Sequence, residues 1–243
     1  MPPRLYVDHL IAAAGAIDLP ANAARHAQVL RLQPGQAVTL FDGQGGEWSA
    51  EVATMDRRAV TVQVLAHKPL ECESLVAVTL ALAMPANDRM DALVEKATEL
   101  GAVAVQPLVT ERSVLRLTGE RGQRRQAHWQ AIAIAACEQC GRNRVPTVQP
   151  VLGYAAWLAA LPAANAADAR LLLGWRDAVP WAQTSVAAGS ALTLLSGPEG
   201  GFSEAEEALA RGRGFAAVWL GPRVLRADTA PLAALAALAL RAT

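Results

Sequence analysis

Leu194-Leu195-Ser196-Gly197-Pro198-Glu199-Gly200-Gly201-Phe202-Ser203 decides the fold of this chain. An apolar, strand-like run, Ala191 to Leu195, stops at a turn holding three glycines, a proline and a carboxylate. Ser203 and Glu206 then stand at capping-box spacing, the signature of a helix start. Strand, glycine turn and helix in that order bring backbone close to a ligand, because glycine has no Cβ to hold it off. The turn therefore predicts an α/β protein with a binding site at a strand end.

The identity of its neighbours narrows the ligand. Glu199 would repel a phosphate, so the turn does not read as a phosphate loop, and neither GxGxxG nor a Walker A sequence occurs. A ligand with a positive centre suits it better, and S-adenosylmethionine, an adenosine carrying a sulfonium, meets that description. A second turn repeats the construction. Ala216 to Leu220 reads as a strand, Gly221-Pro222-Arg223-Val224-Leu225-Arg226 as a tight loop, and Thr229 as the cap of a terminal helix. Two such strand ends can line one pocket at the carboxyl ends of neighbouring strands.

Upstream the same alternation continues. Leu75 to Ala83 reads as a buried strand, and Asn87 or Asp88 as the cap of a helix with Met90, Leu93, Val94, Ala97 and Leu100 on one stripe. Val103 to Val109 completes a βαβ unit, and Leu171-Leu172-Leu173 is a further strand. The pattern predicts a mostly parallel sheet with helices on both faces. Residues 4 to about 68 differ. Short strand-like runs at Arg4–Val7, Val38–Phe41, Glu47–Val52 and Ala59–Leu65, a short helix at Pro20–Leu32 and a glycine-rich hairpin at Asp42–Gly46 suggest a small β-barrel. His67 to Ser74 reads as the linker, giving domains at residues 1–70 and 75–243.

Composition sets the outer limits. At 243 residues, 53% apolar, with 22 basic against 22 acidic residues, the chain is a globular protein, and any nucleic-acid binding must come from local patches. From Glu111 to Pro146 seven arginines face three glutamates, which fits either a solvated helix face or a surface that tracks phosphates. Cys137-x-x-Cys140 lacks a second ligand pair for zinc and a preceding strand for redox work, so the cysteines read as structural. No signal-peptide core or membrane-length apolar run occurs, which points to the cytoplasm and away from a membrane. The helix from Pro231 to Leu240 is apolar all round and predicts burial on more than one side, in the core or at a subunit interface.

Ser196-Gly197-Pro198-Glu199-Gly200-Gly201-Phe202-Ser203 and Leu220-Gly221-Pro222-Arg223-Val224-Leu225-Arg226 together resemble the paired C-terminal motifs of the RsmE family, RNA methyltransferases of the SPOUT class. Asp88-Arg89-Met90 through Gly101, Glu111-Arg112-Ser113, Ala136 to Pro146, Arg4-Leu5-Tyr6 and His26 to Arg31 fit in the same order, so the resemblance covers nearly the whole chain. It implies a PUA-like barrel for RNA, a SPOUT domain with a trefoil knot, a homodimer, and S-adenosylmethionine-dependent methylation of N3 of one uridine in bacterial 16S ribosomal RNA of the small subunit. The alternatives are another SPOUT enzyme acting on a ribose 2′-hydroxyl, or a ribosomal RNA-binding protein with impaired catalysis.

Carried over residue by residue, the resemblance places the donor against Ser196, Gly197, Pro198, Glu199, Gly200, Gly201, Leu220, Gly221, Val224, Leu225 and Thr229, with Leu173 and Gly174 at a third strand end. It assigns RNA contacts to Arg4, Arg25, Arg31, Arg112, Arg142 and Arg144. Arg226 is the cation that would stabilise charge on the uracil, or else pairs with Asp228 or Glu199. His26 reads as structural. Two departures stand out: Ala227 and Asp228 where the family has threonine and glutamate, and Ala86 and Asn87 where it often has lysine and glycine.

Overall fold

The computed structural model describes residues 2–57, 59–85, 89–164 and 168–240. The expected cap at Asn87 or Asp88 and the departure at Ala86 lie outside them. The chain forms two compact units, one of Met1–Glu73 with Ile134–Val145, the other of Ser74–Ala133 with Pro146–Thr243.

The first unit is built on β1 (Arg4–Tyr6), β2 (Gly15–Asp18), α1 (Ala21–Val29), β3 (Ala37–Phe41), β4 (Glu47–Met55) and β5 (Val60–Lys68), in sheet order β1-β3-β4-β5-β2. Only β1 and β3 run parallel; the other pairs are antiparallel. Val60, Val62 and Val64 alternate inward with no exposure and meet Leu5, Val7, Val38, Leu40 and the alanine face of α1 (Ala23, Ala24, Ala27). Register shifts at Ser49/Ala50 and Val52/Thr54 mark bulges, which bend a strand and let a short sheet wrap its core. β2 was not legible in the sequence because Gly15-Ala16-Ile17-Asp18 offers one large apolar residue and no alternation.

This unit also buries charge. Arg4 lies over the Phe41 ring, donating to Glu47 Oε2 (2.6 Å), Asn143 Oδ1 (2.5 Å) and the Arg142 carbonyl (3.3 Å). Arg142 grips Glu73 with two nitrogens, Nε to Oε1 at 3.0 Å and Nη2 to Oε2. Removing one partner of such a pair strands the other charge away from water. Arg142→Ala is expected to destabilise this unit by about 3–5 kcal/mol, read by urea denaturation. An unchanged midpoint would show the pair to be solvated in practice.

Cys137 and Cys140 sit at the end of a helix and not at its start. Cys137 is fully buried, its Sγ donating to the Arg144 carbonyl at 3.6 Å, and burial pushes its thiol up to about 12. No cluster of metal-binding side chains occurs among the described residues. Alkylation of the native chain at pH 8 is expected to spare Cys137 while modifying exposed Cys72. Mass spectrometry showing rapid Cys137 modification would contradict this.

In the second unit the chain runs through β6 (Ala77–Ala83), α2 (Arg89–Glu99), β7 (Ala102–Val109), α3 (Gly119–Cys140, of which Ile134 onward belongs to the first unit), β8 (Thr147–Val148), β9 (Leu152–Gly153) and α4 (Tyr154–Ala160). β10 (Asp168–Leu173), β11 (Val179–Pro180), β12 (Ala191–Ser196), α5 (Glu204–Gly212), β13 (Ala216–Trp219) and α6 (Thr229–Ala239) follow. The strands join in the order β11-β13-β10-β12-β6-β7-β8, with β9 also on β7, and every pair is parallel. Two core clusters result. One joins β6 and β12 to α2, α3 and α6 through Leu80, Met90, Leu93, Trp129, Leu192 and Leu235. The other joins Ala81, Leu172 and Leu195 to α4, Phe202, Ala210 and Phe215. Adjacent residues such as Leu194 and Leu195 thus serve opposite faces, which is why the strand reads as an unbroken apolar run.

Candidate active site

β12 and β13 are not neighbours; β10 lies between them, with Leu173 beside both Ser196 and Val218. The two glycine turns therefore flank a third strand end, where the Gly174 amide donates to the Val218 carbonyl at 3.0 Å. The three ends enclose a cavity of about 920 Å³, at the carboxyl edge where parallel sheets place their ligands.

The first turn is fixed from below by α5. Ser203 caps the helix, accepting the Glu206 amide at 3.3 Å, and Glu206 Oε2 accepts the Ser203 amide at 3.0 Å, so the capping box forms as its spacing predicted. The other Glu206 oxygen takes the Glu111 amide at 2.8 Å, and Arg112 Nη1 donates to the Gly200 carbonyl at 2.8 Å. A buried carboxylate and an arginine thus latch the loop after β7 onto the glycine turn. Glu206 thus gathers two backbone amides at this helix start, while Glu199 is exposed and lines the cavity. Gly201 has φ +67°, a left-handed conformation that other residues adopt at a cost. At Gly197 a Cβ would lie 3.1 Å from the Phe202 ring, itself packed at 5.1 Å from Tyr154.

The second turn presents cations. Arg223 and Arg226 are exposed on the cavity wall, and neither has an ion pair among the described residues. Asp228 is directed to Arg89 instead, at 3.9 Å, and its Oδ1 is buried without a hydrogen-bond partner among the described residues. The pairing of Arg226 with Asp228 or Glu199, one of two readings of the sequence, is not what the structure forms. Glu207, also in the lining, has Oε2 buried without a hydrogen bond among the described residues, 3.8 Å from Arg176. The lining thus carries the carboxylates of Glu199 and Glu207 together with the guanidinium groups of Arg89, Arg176, Arg223 and Arg226, and Leu173, Phe202, Val218, Leu220 and Leu225 supply its apolar surface.

A model of the RNA methyltransferase domain matches residues 72–239, and one of the RNA methyltransferase PUA domain matches residues 19–65. The ribosomal RNA small subunit methyltransferase E of Synechocystis is 36% identical over 214 residues, 86% of this chain and 67% of that protein. The chain belongs to the RsmE family. The crystal structure of the Neisseria gonorrhoeae family member bound to S-adenosyl methionine matches with a TM-score of 0.90 at 39% identity, over 98% of this chain and 97% of that one. A Legionella pneumophila methyltransferase in complex with SAM matches at 0.92 and 31% identity, over 99% and 98% of the two chains. The RsmE membership carries the SPOUT fold and the PUA-like unit with it, and both accord with the parallel and the mainly antiparallel sheet.

Of the positions that the RsmE motifs pointed to, Leu173, Gly174, Ser196, Gly197, Pro198, Glu199, Gly201, Leu220, Val224, Leu225 and Arg226 line the cavity. Gly200, Gly221 and Thr229 do not. Gly200 faces Arg112, whose Cδ would meet an added Cβ at 3.4 Å, and Thr229 is the exposed first residue of α6, one place beyond the cap position at Asp228. The arginines assigned to RNA divide. Arg4 and Arg142 are buried in the network described above and are not available to phosphates. Arg144 is exposed but stands 3.4 Å from Glu71, and Arg112 spends one nitrogen on Gly200. Arg25 and Arg31 are exposed; His26 is held by Glu138 at 3.0 Å. Sequence reasoning missed Arg89, Trp175, Arg176, Glu207 and Trp219 on the cavity wall, since only the pairing of distant strands brings them there.

Proposed function

We propose that this chain methylates N3 of a uridine in 16S ribosomal RNA of the small subunit, with S-adenosylmethionine as donor. The observation that carries this reading is the cavity at three strand ends, lined by the carboxylates of Glu199 and Glu207 and by Arg226, which has no ion pair among the described residues. The residues fit such a donor. Glu207 offers a buried acceptor oxygen without a hydrogen bond among the described residues, Glu199 adds negative charge to the lining, and the bare backbone at Gly201 leaves room for close approach. Backbone at Leu173, Gly174, Leu220 and Leu225 would complete the cradle. When bound, S-adenosylmethionine supplies an electrophilic methyl group on a sulfonium.

Uridine N3 must lose its proton before it is a useful nucleophile, and the charge then spreads to O2 and O4. A guanidinium on the cavity wall stabilises that charge, the task we assign to Arg226. The latched turn holds its geometry before substrate arrives, so alignment contributes as well. Exposed Arg25, Arg31, Arg121 and Arg124 are left to follow RNA phosphates.

The chain works as a homodimer in this reading. α6 buries Ala234, Leu235 and Leu238 in the core, and Leu240, the residue after it, is 78% exposed, an apolar end suited to a second copy. The substrate places the enzyme in the cytoplasm, and among the described residues no helix is long and apolar enough to cross a membrane.

The deciding experiment is labelled donor with 16S RNA or small subunits, followed by nucleoside analysis. N3-methyluridine is expected. A ribose methyl would make the chain a different kind of SPOUT enzyme, and no methyl transfer with retained RNA binding would leave an RNA-binding protein.

A further inference from the structure

Three large apolar side chains stand in water on the rim of one cavity: Val224 at 86% exposure, Val114 at 77% and Trp175 at 53%. Single exposed apolar residues need no explanation, but a group at a cavity mouth marks a binding surface. Trp175 is the telling member. It follows Gly174 at the end of β10 and lies against Trp219 at the end of β13, with ring centroids 5.7 Å apart and planes 34° from parallel. Trp219 is half-buried and backs the pair. The outer indole has no such cover.

The loop carrying Trp175 is strapped down and not left loose. Arg176 pairs with Glu204 at 3.1 Å, Arg211 donates to the Arg176 carbonyl, and Arg211 Nη2 stands 3.9 Å from Asp177. Asp177 takes φ +48°, an uncommon conformation for a residue with a side chain. All these anchors come from α5, the helix that also fixes the Gly197–Gly201 turn. An aromatic face held by these anchors and left wet in a cavity lining that also carries Arg89, Arg223 and Arg226 has the properties of a stacking platform for a flat heterocycle.

We infer that Trp175, backed by Trp219, stacks a nucleobase at the mouth of the donor cavity. The inference rests on the reading of that cavity given above. Two sources can supply the base, the adenine of the donor or a base of the RNA beside the target uridine, and both present the same π-face.

The test uses the full chain, Trp175→Ala and Trp175→Phe, titrated by calorimetry with S-adenosylmethionine and separately with a single-stranded oligouridylate. Thermal melting of each variant confirms that the exposed side chain is dispensable for folding. Loss of a stacked base weakens binding by about 5- to 150-fold in the alanine variant, and phenylalanine restores most of it. Weakening in the donor arm assigns adenine; weakening in the RNA arm assigns an RNA base. If the wild type binds both ligands and Trp175→Ala matches it within about twofold, the platform is refuted while the proposed function stands. A wild type that binds neither ligand overturns both.

Discussion

Gly197→Val is expected to weaken donor binding about 100-fold while leaving a folded chain. The added Cβ alone would press to 3.1 Å from the Phe202 ring, which is 7% exposed and hemmed in by Tyr154. Relief can come only from moving Phe202 or the turn itself, and both form cavity wall. Overpacking of this sort costs about 1–3 kcal/mol, and the same misfit in the binding site lowers affinity about 100-fold. Gly200→Ala is the matched control. Its Cβ meets Arg112 at ordinary contact distance outside the cavity, so donor affinity is expected to stay within about twofold. Calorimetry on the two variants distinguishes a built cradle from a turn that merely tolerates glycine; equal affinities would discard the cradle.

Arg226→Ala carries the second large effect, and it is of a different kind. Turnover is expected to fall by about 10²- to 10³-fold, the loss seen when one donor to a developing anion is removed. Donor affinity should change little, because the Glu199 and Glu207 carboxylates and the backbone of the two turns are untouched. Arg226 has no ion pair among the described residues, so no buried carboxylate is stranded by its removal. Arg226→Lys should recover part of the rate, as a point charge without the planar fork. Near-normal turnover in the alanine variant would transfer the role to another wall cation, with Arg223 and Arg89 next in line.

These two predictions rest on different amounts of tertiary information. The glycine turn, the strand before it and the capping box after it were legible because each is decided within a few residues. Ser203 and Glu206 are three apart and reach one another in any helix that begins there. The second oxygen of Glu206, taken by an amide 95 positions away in sequence, left no local sign. Arg4 and Arg142 mislead for the same reason. An arginine in a loop reads as a phosphate contact until Glu47, Asn143 and Glu73 are seen around it.

By itself the sequence determined the alternation of strands and helices, the placement of two glycine turns at strand ends and, through its motifs, the RsmE family. Periodicity and turn chemistry are short-range properties of the backbone, so they survive without knowledge of the fold. Only the tertiary structure decided that β10 separates β12 from β13, that Gly200 looks toward Arg112 and away from the cavity, and that Trp175 stands beside Trp219. Strand order in a parallel sheet is set by long crossovers, and which face of a turn meets the ligand depends on what packs behind it. Neither is written in the spacing of residues along the chain.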